Sequence, residues 1–391
     1  MYAVALAGLM AMAQAEMRFV RHEIAAYPGG YQVAVADVNG DGRPDVIALS
    51  TDGNRVDWFE NPTWKRRPVA QVERPIDLAV HDLDGDGRPG IALAYGFYFG
   101  DSSRGGDIAW LRPKANLDEP WEIHPIAKDP VVHRLRWADL DGDGRKELVH
   151  APIFGPGSKA NIDPKPSHLW AFRPPKDLQS GKWEIWKIDE SLTVLHGLWT
   201  GRLDGSRRDQ LLTASFEGVF RFRYEGDHPS GRWRKEEVSR GAKPKDQKPG
   251  TSRGSSEVVL VRFAHGQLFI AAIEPWHGNQ VVVYEMQPGG DRFSRHVLDE
   301  SLSEGHVLVV GDFDGEGDDE IVAGWRGGVG GLALHDQIGV DSLRFQKVPL
   351  DRGIAAEGAV AADLNGDGRL DLVVVAGRTN HLVWYENRGS K

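Results

Sequence analysis

The sequence predicts an all-β chain, a seven-bladed β-propeller with four antiparallel strands per blade, closed by its own N-terminal strand. Three observations predict it. A nine-residue acidic loop recurs along the chain. Each copy lies between two short runs of strand type. The strand missing from the last repeat is found at the opposite end of the sequence. Repetition of this kind overrides the two or three domains that 391 residues would otherwise suggest.

The loop is recognised by acidic or amide side chains at its first, third, fifth and ninth places and Gly at its sixth. The copies read Asp37, Asn39, Asp41 and Asp45; Asp82, Asp84 and Asp86, with Gly90 at the ninth place; Asp139, Asp141, Asp143 and Glu147; Asp312, Asp314, Glu316 and Glu320; and Asp363, Asn365, Asp367 and Asp371. Eroded copies at 202–209 and 262–266 complete seven. A third strand with an aromatic near its end follows each copy, as in RVDWFEN (55–61) and HLVWYEN (381–387). The fourth strand begins with an aromatic, as in WKRRPVA (64–70) and FQKVPLD (345–351). The seventh repeat has no fourth strand after WYENRGSK, and Phe19–Ala25 supplies it. Such closure protects sheet edges that an open array would expose, whereas a linear solenoid needs capping repeats.

Composition narrows the function. A net charge of −10 argues against a nucleic-acid partner. With no Cys there is no disulfide framework and no thiol chemistry. Residues 1–15 (MYAVALAGLMAMAQA) read as an export signal ending at Ala13, Gln14 and Ala15, which places the mature chain, 16–391, in the periplasm or outside the cell. The apolar run is too short to span a membrane, and no later stretch is long and apolar enough. Nothing in the sequence speaks to the oligomeric state.

The acidic loops suit a hard, oxygen-seeking cation, calcium or magnesium, with the sixth-place Gly making the sharp turn. An EF-hand is excluded, because position 12 is Ala48, Leu93, His150, Ala323 or Val374 and the flanks are strands. The alternative is an Asx-turn network without an ion. With metal, the role expected of such equivalent repeats is stability.

The chemistry is expected at the other mouth. First strands line a propeller's channel, and the residues six places before each loop are Tyr31, Ile76, His133, His196, Ser256, His306 and Glu357. Fourteen His in 391 residues would put well under one His in seven slots, so three is an excess. Long loops at 96–107 and 153–168, the basic insertion 240–256, and the turns carrying Trp276, His277, Trp325 and Arg326 should overhang this mouth, with Tyr95 and His150 beside it. Trp276, Trp325 and Tyr95 are candidates to stack on sugar rings. Three His and a Glu around a channel can hold a transition metal such as zinc with an open position, or act directly as acid and base. Either suits proton abstraction beside a carbonyl. A polar plug sealing the channel is the non-catalytic alternative.

The acidic repeats resemble FG-GAP and VCBS repeats. Together with WFENP and WYEN, the RWADLDGDGRKELVHAPIFG segment (136–155) and the EPWHGN turn, they make the chain similar to the propeller domain of the aldos-2-ulose dehydratase family. That family dehydrates and isomerises oxidised sugars such as glucosone and 1,5-anhydrofructose, and pairs its propeller with C-terminal cupin domains. The resemblance implies a sugar lyase with His133, His196, His306 and Glu357 as metal or acid–base residues, and with Tyr31 and His277 beside them. The competing hypothesis is a calcium-stabilised binding or adhesion module without chemistry. A transition metal near one per chain separates the first from the second.

Overall fold

The computed structural model describes residues 17–390 other than 179–180, 204, 288–291 and 339–342, so the reading of residues 1–15 as an export signal lies outside the described residues. Seven four-stranded antiparallel sheets make up the fold. Blade 1 runs outward through Gly30–Ala36, Asp45–Ser50, Arg55–Glu60 and Lys65–Gln71. Blades 2 to 6 repeat this order from Asp77–His81, Arg134–Ala138, Gly197–Gly201, Val258–Phe263 and Gly305–Gly311. Blade 7 takes Gly358–Ala362, Asp371–Ala376 and His381–Ser390 from the C-terminal end, and Met17–Ala26 from the N-terminal end as its outer strand. The closing strand is longer than Phe19–Ala25 by a few residues at its ends and pairs with His381–Ser390 from Met17 to Ala26. Each first strand packs on the first strands of both neighbouring blades, which closes the ring.

Burial follows position in the blade. Second strands are covered on both faces by adjacent blades, so Asp45–Ser50, Gln210–Ser215 and Asp371–Ala376 are buried throughout. That is why their sequences are unbroken apolar runs between polar ends. Fourth strands pair on one side only. They alternate exposed and half-buried residues and carry Pro68, Pro125 and Pro349, which an edge strand tolerates because its outer N–H groups have no ladder partner. A register shift recurs between the third and fourth strands of every blade. Such bulges re-aim and blunt an outer edge.

The Asn of the WFEN and WYEN motifs links blades. Asn61 donates its side-chain N–H to Pro44 O and to Leu364 O of blade 7, at 2.9 and 2.8 Å. Asn387 donates likewise to Leu370 O and to Phe313 O of blade 6, at 3.1 and 2.6 Å. Both asparagines are buried. Asn387→Ala therefore strands two carbonyls at a blade junction and is expected to cost about 1–3 kcal/mol, measured by denaturant unfolding.

Candidate functional site at the channel mouth

The slots six places before the loops converge as the repeat register requires. Tyr31 Oη lies 3.3 Å from His133 Nε2 and 3.2 Å from His306 Nε2. His277, from the turn between the second and third strands of blade 5, reaches in to place its Nε2 3.0 Å from His196 Nε2. The His133–His196 and His196–His277 ring centres are 4.6 and 4.7 Å apart. His133, His196 and His306 are 1–2% exposed. Arg326, from blade 6, donates to Glu357 Oε2 at 2.7 Å and to His277 Nδ1 at 3.3 Å. Ile76 and Ser256, the remaining slots, are buried.

The hydrogen bonds assign the tautomers. His306 Nδ1 donates to Glu357 O at 2.7 Å, which leaves its Nε2 as an acceptor for Tyr31. His196 Nδ1 donates to Ser256 O at 3.1 Å and lies 3.0 Å from Glu257 Oε1. Its Nε2 is therefore an acceptor too. His277 accepts from Arg326 at Nδ1 and so carries its proton on Nε2, toward His196. Two short relays result, one through Tyr31 to His306 and one through His277 to His196. His133 Nδ1 is buried and has no partner.

Electrostatics keep this cluster neutral. Burial, reinforced by Arg134 and the neighbouring imidazoles, holds His133 well below the usual imidazole range. Burial and nearby His196, His277 and Arg326 do the same for His277 and His306. Burial lowers His196 as well, with Glu257 opposing it. Burial raises Glu357, only partly offset by Arg326, and burial raises Tyr31. The unfolded chain takes up protons near pH 6.5 that the folded cluster refuses, so the cluster's stability is complete above that pH and is lost as pH falls through it. Relative to His277→Gln, wild type should lose at most about 1.4 kcal/mol per pH unit below pH 6.5, read from unfolding curves between pH 8 and 5.

The overhanging loops interlock above the cluster. Phe99 packs edge-on to Phe154 at 5.2 Å, and Ser102 donates to Ser158 O at 3.0 Å, joining 96–107 to 153–168. Asn161 donates to Gly250 O at 2.9 Å, and Trp276 N to Arg253 O at 3.1 Å, bringing in 240–256 and the 274–279 turn. On the channel side, a cavity of about 60 Å³ is lined by His306, Glu357, Arg134, Glu257 and Gln32, among others.

The family model of the β-propeller domain of aldos-2-ulose dehydratase matches residues 105–287, and an FG-GAP-like repeat model matches 37–93 and 312–374. Aldos-2-ulose dehydratase of Phanerodontia chrysosporium is 26% identical over 320 residues, covering 76% of this chain and 34% of that protein. This chain is similar to the propeller domain of aldos-2-ulose dehydratase. The match spans about a third of the relative's length. The 105–287 match takes in His133, His196, Glu257 and His277.

Three residues expected at the mouth stand elsewhere. His150 is fully buried within blade 3, with its Nε2 3.0 Å from Asp129, which His168 also contacts. Every residue of its second strand is buried. Tyr95 packs half-buried on the core shared by blades 1 and 2. Trp325 lies against the core of blades 5 and 6 with Lys347 over its ring at 5.6 Å. Trp276 reaches the site, but as a buried support stacked on His277 at 4.4 Å rather than as an open platform. Two residues escaped the sequence reading, Glu257 and Arg134, which pair at 3.1 Å behind His196. Each directly follows a ring slot, and that adjacency was the available signal.

The acidic loops fold as the pattern implies. First-place Asp37 accepts from Gly40, Asp41 and Gly42 N–H at 2.8, 3.1 and 2.8 Å, and Asp363 repeats this. Ninth-place carboxylates point inward. Asp45 accepts from Val38 and Asn61, Asp371 from Leu364 and Asn387, Glu147 from Leu140, and Glu320 from Phe313. Burial raises Asp45 to about 6, Glu147 to about 7 and Glu320 to about 9, the last aided by Asp314. Carboxylate oxygens of Asp82, Asp84 and Asp86, of Asp139, Asp141 and Asp143, and of Asp312, Asp314 and Glu320 each lie within 4.8 Å of one another.

Proposed function

We propose that this chain is an exported carbohydrate lyase that removes a proton next to the carbonyl of a keto- or anhydro-sugar and expels a β-hydroxyl. The observation that supports it most is the imidazole cluster, in which the Nδ1 contacts of His196 and His306 leave both Nε2 atoms as acceptors, one facing His277 and the other Tyr31. A neutral, buried imidazole is a competent general base at neutral pH. His306 or His196 takes the proton, and Tyr31 or the Nε2–H of His277 returns one to the leaving hydroxyl, the captured proton then passing along the relay to restore the donor. Arg326 and Glu357 orient His277 and His306. The similarity to aldos-2-ulose dehydratase supports the sugar substrate and the class of reaction.

Nitrogens of His196, His277 and His306 lie within 4.8 Å of one another and would hold a zinc-type ion. The tautomers of His196 and His306 fit that use, while His277 would have to carry its proton on Nδ1 and give up the bond from Arg326. Such an ion would supply Lewis acidity to the carbonyl. Loops 37–45, 312–320 and 363–371 would hold calcium in a stabilising role. The test is incubation of purified protein with 1,5-anhydrofructose, following enone absorbance, together with elemental analysis. Substrate loss with enone growth supports the reading, and an unchanged substrate over hours at micromolar protein refutes it.

A further inference from the structure

The acidic loops differ in what lies over them. In blades 1, 6 and 7 the third strand brings an acid. Phe59 pairs with Val46 and is followed by Glu60; His335 pairs with Ile321 and is followed by Asp336; Tyr385 pairs with Leu372 and is followed by Glu386. In blades 2 and 3 the same register position is arginine. Leu111 pairs with Ile91 and is followed by Arg112, and Phe172 pairs with Leu148 and is followed by Arg173.

Both arginines bridge two or more of the carboxylates that would ligate an ion, whereas in blade 7 Arg369, from the loop itself, touches Asp367 alone of the loop's carboxylates. Arg173 places Nη1 2.5 Å from Asp141 Oδ2 and Nη2 2.6 Å from Asp143 Oδ2. The same Nη1 is 3.8 Å from Glu147 Oε1, a fully buried oxygen with no hydrogen-bond donor of its own. Third, fifth and ninth places of the loop thus face one guanidinium. Arg112 places Nε 2.8 Å from Asp84 Oδ2 and Nη2 3.2 Å from Asp86 Oδ2. The planar fork matches paired carboxylates, and a divalent ion entering there must first displace a like charge held by the fold.

We infer that the acidic loops of blades 2 and 3 are closed by their own arginines and take up no divalent cation, the guanidinium standing where an ion would. The inference rests on reading the other acidic loops as cation sites. It stands against the expectation that Asp82, Asp84, Asp86, Asp139, Asp141, Asp143 and Glu147 ligate metal.

The test uses chelator-stripped protein titrated with calcium, with bound calcium counted by equilibrium dialysis and melting followed in parallel. Asp143→Asn should leave the calcium count unchanged, whereas Asp367→Asn in blade 7 should lower it by one. Arg173→Gln should melt several degrees lower in chelator, gain one calcium, and recover most of the loss when calcium is added. Equal calcium loss in Asp143→Asn and Asp367→Asn overturns the inference. So does an Arg173→Gln protein whose count and calcium response match wild type. If no protein binds calcium, Asp367→Asn included, the cation reading of the loops fails as a whole and this inference with it.

Discussion

His306→Ala should lower turnover of 1,5-anhydrofructose by about 10²–10⁴-fold, the range that a positioned acid or base contributes. The imidazole is held from both ends, by Glu357 O at 2.7 Å and Tyr31 Oη at 3.2 Å, and it lines the channel cavity. Removing it takes away the acceptor of one relay and leaves Tyr31 with His133 alone. A control separates chemistry from folding. His335 is equally buried, is tied to Asp299 at 3.0 Å, and lies away from the mouth. His335→Gln should lower stability by an amount similar to His306→Ala while leaving turnover within about twofold, a comparison made by unfolding and initial rates on the same preparations. His196→Ala should behave like His306→Ala, and the double variant should fall little below either single one, because groups acting as a unit are not additive.

Deleting residues 17–26 should abolish the folded state. The strand carries the ladder from Met17 to Ala26 against His381–Ser390 and buries Met17 and Ile24. It also holds Arg21 on Asp351 of blade 6 at 3.0 Å. Each fully buried aliphatic side chain is worth about 1.5–3 kcal/mol, and the deletion exposes the edge of His381–Ser390 as well. Against a total stability of about 5–15 kcal/mol this is decisive. Circular dichroism and size exclusion should show an expanded or aggregated protein, and a synthetic 17–26 peptide added during refolding should restore the compact fold by strand addition. A truncated chain that melts like the full one would refute the closure.

The fold was legible because each blade repeats its signals at fixed spacing. The acidic turn, the apolar second strand and the aromatic ends of the outer strands agree with one another, and the missing fourth strand located the closure. The same register brought Tyr31, His133, His196, His306 and Glu357 to one mouth. Placement was harder where a side chain's direction depends on neighbours. His150 sits near the end of its second strand, as expected, and Trp325, expected on a turn, ends one; their directions are set by Asp129 and Lys347, which no local pattern shows. The arginines over two acidic loops were hidden for another reason. Arg112 and Arg173 lie well beyond their loops in sequence, and only the cross-strand register sets them over the carboxylates. Glu257 and Arg134 pair across two blades, 123 residues apart, which no local pattern encodes.

The most direct test of the cluster is proton exchange at the carbon beside the carbonyl. 1,5-Anhydrofructose in D₂O, followed by NMR with wild type and with the His196→Gln/His306→Gln double variant, reports abstraction itself. Wild type should incorporate deuterium there or release the eliminated enone well above the buffer rate, and the double variant should do neither. No exchange and no elimination by wild type, or rates undiminished in the double variant, would contradict abstraction by the cluster.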